Sequence, residues 1–155
     1  MIQKIIPWIL AIFVAFVFIQ SLFFKFSGSE ETVIIFNTIA DWMADIALLE
    51  AVAEPFRTYG GNTIGALELV ASALILIPAT RVFGALMGLG VISGAIFFHL
   101  FTPLGVVRVV DTLGNTDGGV LFIMACGVWL ASAALVWLQR ERLLSLLPAK
   151  AAKAA

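Results

Sequence analysis

The chain has 155 residues, 62% of them hydrophobic and 12% charged, with a mean hydropathy of +1.10 and a formal net charge of −1. That composition belongs to a polytopic membrane protein of a single domain, and the charge leaves no basic footprint for nucleic acid. A lone cysteine, Cys126, excludes an internal disulfide, and a lone histidine, His99, excludes a bis-histidine haem or a His-rich metal site within one chain, so no metal is expected.

The first apolar run, residues 5–24, is long enough to cross a hydrocarbon core of about 30 Å. Its apolar part exceeds the roughly 7–15 residues of a signal-peptide core, and Lys25 precedes the small residues that would mark a cleavage site. It is therefore expected to be a retained transmembrane helix, with Pro7 in its first turn.

Residues 29–50 follow as an amphipathic helix. Ser29 is placed as the N-cap and Glu30 and Glu31 occupy the first turn, where the helix dipole favours negative charge. Phe36, Ile39, Met43 and Ile46 fall on one side, and Asn37, Asp41 and Asp45 on the other. Its polar face is acidic, so attraction to anionic lipid does not account for it, and packing of the apolar side on a bundle does. Pro55 and Gly60-Gly61 are expected to end the element.

A hydrophobic hairpin comes next, with a second span at residues 62–77 and a third at 82–101. Its connector is too short to do anything but reverse the chain, so the two arms are antiparallel neighbours. Glu68 lies within the second span, where an ionisable side chain costs a few kcal/mol. It shares a strip with Gly65, Ala71, Ser72 and Ile75, mostly small residues suited to helix contact, and so should face protein rather than lipid. Glu68 is expected to be a neutral acid unless Lys25 reaches down to pair with it. The third span carries Gly84-xxx-Gly88 and Gly90-xxx-Gly94 on opposite faces, as if neighbours approached from both sides. A polar loop with a short β-like patch at 106–110 leads to a fourth span at 118–139 and a basic tail, 140–155.

Four crossings put both termini on one side. That side holds Lys4, Arg81, Arg140, Arg142, Lys150 and Lys153, against Lys25, Arg57 and Arg108 on the other, which predicts cytoplasmic termini in a cell membrane. Helix rise places Gln20 and Glu68 at similar depth, with Lys25, His99, Asn62 and Asp117 nearer the outer rim. Together they form a candidate ligand-binding funnel open to the outside. A direct Glu68–His99 bond is not expected, because His99 stands about 12 Å nearer the surface by the same count. A rim lysine often only snorkels, and a histidine near an interface is often hydrogen-bonded packing.

Ser21-Leu22-Phe23-Phe24-Lys25-Phe26-Ser27-Gly28 leading out of the first span, Gly65-Ala66-Leu67-Glu68-Leu69 in the second, His99 late in the third and Asp117-Gly118-Gly119 before the fourth resemble the DoxX-like family of small four-helix membrane proteins. The resemblance covers residues 5–139 and rests on order and spacing rather than on a catalytic signature. It implies a four-helix bundle. One relative is a subunit of a thiosulfate:quinone oxidoreductase, others accompany oxidative-stress systems, and more distant ones act as membrane chaperones or cargo receptors. Two functions are therefore expected in competition. One is a redox-associated subunit that holds a quinone or another lipophilic molecule in the funnel and works with a partner oxidoreductase. The other is a non-catalytic assembly or chaperone subunit that binds another membrane protein, or a second copy of itself, through its transmembrane helices. Catalysis by the chain alone is not expected, since it carries no redox centre of its own.

Overall fold

The computed structural model describes residues 2–145. The chain is all-α: α1 (Ile2–Ser27), α2 (Glu30–Ala44), α3 (Glu50–Leu76), α4 (Arg81–Phe101), α5 (Val120–Leu138) and the short α6 (Arg140–Leu144). Four of these, α1, α3, α4 and α5, are long and apolar enough to cross a membrane. They close a ring in which α1 packs on α3 and α5, and α4 packs on the same two helices. Large apolar side chains also face outward: Ile9, Phe16, Phe23, Ile123 and Leu130 are each at least 60% exposed. A bundle that is apolar outside as well as inside finds its solvent in lipid rather than water.

The central core joins Val14 and Phe18 of α1, Ala71 and Ile75 of α3, Ala85 and Ile92 of α4, and Val128 and Leu135 of α5. The α3–α4 hairpin is closed at Gly84, where an added Cβ would stand 2.5 Å from the Ile75 nitrogen and 2.8 Å from the Ala71 oxygen. Backbone therefore lies against backbone there, as small-residue spacings permit. Gly88 instead makes room for the Phe18 ring, 3.1 Å from an added Cβ, and the second glycine pair is not used in either way. Gly84 and Gly88 are buried, but a Cβ at Gly90 or Gly94 would meet nothing within 4 Å. The expectation of neighbours on both faces of α4 holds for one face within this chain.

The amphipathic helix lies on the bundle, its Ser29 hydroxyl capping the Thr32 N–H as expected. Ile39 and Met43 pack with Ala53 of α3 and with Leu104, and Phe56 and Phe98 complete this second cluster. Its end differs from the expectation. α2 stops at Ala44, and α3 begins at Glu50 rather than near residue 62, running through Pro55, Gly60 and Gly61 without a break. The two glycines are a seat: an added Cβ on Gly60 would be 2.6 Å from the Phe36 ring, and one on Gly61 would be 3.2 Å from the Thr32 methyl. They let α2 lie close on α3, and packing outweighs their poor helix propensity. Arg57 fastens the pair, bonding Asp41 at 2.7 Å and Asn37 at 3.3 Å across the gap. Pro7 also differs, lying inside α1 because that helix starts at Ile2.

The β-like patch is reduced to one antiparallel bridge, Val109 to Thr116, within the α4–α5 loop. Positive φ at Gly114, Gly118 and Gly119 turns the chain back and into α5. The tail beyond residue 145 lies outside the described residues.

Candidate functional site

Glu68 is 5% exposed, and the strip Gly65, Glu68, Ala71, Ser72 and Ile75 is buried throughout. The close approach of α1 begins at Gly65, where an added Cβ would stand 2.7 Å from the Phe26 ring. That approach brings Lys25 and Ser21, one turn apart on α1, onto the carboxylate. Lys25 Nζ donates to Glu68 Oε2 at 2.8 Å, to Oε1 at 3.1 Å and to Ser21 Oγ at 3.0 Å, and Ser21 Oγ donates to Oε2 at 2.7 Å. All three ammonium protons are engaged. The expected neutral, unpaired acid gives way to an ion pair, because the lysine stem is long enough to lower its charge below the rim.

A cavity of about 390 Å³ lies beside this pair, between α1 and α5 and beneath α2. Its apolar lining comes from Val17, Phe24, Ile35, Phe36, Val120, Leu121 and Met124, and its polar lining from Gln20, Ser21, Lys25, Glu31, Thr32 and Asp117. Phe24, Val120 and Leu121 are themselves 45, 58 and 37% exposed, so the cavity is reached from the apolar flank of the bundle. The volume falls in the range of small-molecule sites, with convergent polar groups on a mainly apolar wall. Lys25 also borders a second, more polar hollow of about 270 Å³, formed by Ser27, Thr32, Arg57, Thr58, Gly61 and Asn62. The lysine thus forms a partition between an apolar space and a polar one.

The far wall of the cavity is held by a residue that sequence reasoning missed. Arg108 sits 3% exposed at the β-bridge, its guanidinium paired with Glu31 of α2 and lying 3.7 Å from Asp117. Its Nε and Nη1 have no hydrogen-bond partner among the described residues. Asp117 accepts from the backbone N–H groups of Arg108 at 3.1 Å, Gly119 at 3.0 Å and Leu121 at 3.2 Å. Burial alone would raise its pKa, but these amides and the Arg108 charge outweigh it and hold the carboxyl below its ordinary value. Glu30 adds a second tie, accepting from the Thr112 N–H at 2.6 Å. The two acids in the first turn of α2 therefore grip the α4–α5 loop, as well as suiting the helix dipole.

Of the six residues expected in the funnel, Gln20, Lys25 and Asp117 line the main cavity, and Glu68 stands behind it, bonded to Lys25. Asn62 borders the second hollow instead. His99 belongs to neither. It is 8% exposed, its Nδ1 donates to the Gly105 carbonyl at 2.7 Å, and its ring stands edge-on to Phe122. It fastens the end of α4 to the loop. Ser21, Glu31, Thr32 and Arg108 were not among the expected residues. Ser21 had a signal, standing four residues before Lys25 on the same helix face. Arg108 had a weaker one, a single charge among valines.

Among the described residues no group of three or more His, Cys, Asp and Glu is placed to hold a metal ion. Comparison with protein-family models, with characterised proteins and with solved structures finds no match to this chain.

Proposed function

We propose that the chain is a multi-pass cell-membrane protein of the DoxX-like kind, with cytoplasmic termini, that binds a quinone or another lipophilic small molecule as a subunit of a redox system. The observation that carries this reading is the flank cavity, apolar for most of its wall, open toward lipid and bordered by the Lys25–Glu68 pair. In this reading Glu68, held by Lys25 at the border of the cavity, is the group with which a proton is exchanged. A partner oxidoreductase supplies or removes the electrons.

The test is purification in mild detergent followed by mass spectrometry of what remains bound, comparing wild type with Val120→Trp, which fills the cavity wall. A lipophilic compound retained by the wild type and lost from the variant is the expected result. Equal retention by both, or none by either, overturns the reading.

One observation favours the second function, a subunit that binds another transmembrane helix. The Gly90–Gly94 face of α4 is open, with room for a close-packed neighbour. Cysteine cross-linking from position 90 in native membranes separates the two, since a lipid-binding subunit without a helix partner gives no defined product.

A further inference from the structure

The charges around the flank cavity are arranged with an excess of acid, and the one cation in its lining, Lys25, is already paired. Lys25 spends its three protons on Glu68 and Ser21. Arg108 lies behind Glu31 and Asp117 and is not part of the lining. These five groups are two cations and three carboxylates, a balance of −1. A carboxylate or phosphate head entering here meets no unpaired cation in the lining, since the unpartnered Arg108 nitrogens are outside it, and faces Glu31 and Asp117 across a low-dielectric space, where an unpaired charge is costly.

Gln20 has the complementary property. It is exposed on the same wall, within a membrane-spanning helix, and no hydrogen bond among the described residues involves its side chain. An unsatisfied amide facing hydrocarbon is unfavourable, and a ligand group able to both donate and accept relieves it.

We propose that the cavity takes an amphiphile with an uncharged amide- or carbonyl-type head, that Gln20 is the residue that recognises this head, and that anionic amphiphiles are excluded. This rests on the reading of the cavity as a lipophilic-ligand site and gives it a head-group chemistry. The apolar tail lies between Val17, Val120 and Met124 and leaves through the flank; the head is held beside Gln20, its carbonyl accepting from the side-chain NH2 and, in an amide, its N–H donating to the side-chain oxygen.

Decanamide and decanoate differ in little but charge and make a matched pair of probes. Both are titrated calorimetrically into the full chain in phosphatidylcholine nanodiscs at about pH 8, where the acid is ionised, with empty discs as reference. Decanamide is expected to bind, and decanoate to bind at least about tenfold more weakly, the effect of one head-group interaction. Gln20→Leu is expected to weaken decanamide about tenfold while leaving thermal stability unchanged, since the amide holds nothing else in place. Decanoate binding as tightly as decanamide, or decanamide indifferent to Gln20→Leu, overturns the head-group assignment and leaves a lipophilic site standing. Neither probe binding the wild type overturns both.

Discussion

Lys25 Nζ lies 2.8 and 3.1 Å from the two carboxylate oxygens of Glu68, joining the end of α1 to the middle of α3. Both groups are largely withdrawn from solvent, at 18% and 7% side-chain exposure. Removing one partner strands the other charge in an apolar bundle, which in buried pairs costs about 3–5 kcal/mol. Glu68→Gln and Lys25→Met are therefore each expected to lower stability by about 3 kcal/mol, with the double variant recovering at least about 1 kcal/mol of the summed loss. Thermal unfolding in detergent reads all four proteins. Strictly additive losses would show that the two residues act independently.

The two glycine pairs of α4 make opposite predictions. Gly84→Ala drives a methyl into the backbone of Ile75 and Ala71, which cannot rotate away, and is expected to cost about 1–3 kcal/mol. Gly90→Ala and Gly94→Ala meet open space and gain helix propensity, so they should be neutral or stabilising by up to about 1 kcal/mol. The same unfolding assay distinguishes them; a costly Gly90→Ala would reveal an intermolecular contact on that face.

The spans and the buried strip around Glu68 were legible because both follow from periodicity and from the cost of polar groups in lipid. What could not be read were the meanings of residues whose role depends on a distant partner. Gly60 and Gly61 look like breakers in a linear reading and become a seat only when Phe36 is laid on them. His99 looks like a rim ligand until the loop returns the Gly105 carbonyl to it. Arg108 acquires its role from Glu31 on another element. Lys25 was seen as a rim group because a Cα count ignores the reach of its stem.

The clamp between Arg108, Glu31 and Asp117 predicts a response to acid. Asp117 titrates below its ordinary value of 3.8 in the folded chain, so its contribution is fully present above that value and is lost as pH falls through the lower, folded one. Asp111, lowered by its bonds to the Asn115 side chain and to nearby backbone, acts in the same direction. Hydrogen exchange in the 105–119 loop is expected to stay slow down to about pH 4 and to quicken below it once intrinsic pH effects are divided out. Asp117→Asn should weaken protection at neutral pH and flatten the acid response. A loop whose corrected protection is unchanged between pH 5 and about pH 2.5 would deny the clamp its part.

The expected orientation is tested by where the basic residues lie. Lys25 pairs with Glu68, Arg57 with Asp41 and Glu54, and Arg108 with Glu31 and Asp117, so all three bases at the α2 end are matched by acids. At the other end, Arg81 bonds the Ile75 carbonyl and lies 4.1 Å over the Trp8 ring, and Arg142 holds the carbonyls of Pro78 and Ala79. Arg140 bonds the Trp137 carbonyl, lies 4.4 Å over the same residue's ring and has the exposed Glu141 at 3.7 Å as its acid. Counted along the sequence with Lys4, Lys150 and Lys153, the side of the termini has six of the nine bases, and it is such an excess of Lys and Arg that favours the cytoplasmic side. Reporter fusions at the C-terminus, and a reporter inserted at residues 45–49 between α2 and α3, are expected to read cytoplasm and exterior respectively. Both reporting the same side would mean that α3, α4 and α5 do not all cross the membrane, and the reverse pattern would put the cavity and its carboxylates on the cytoplasmic face.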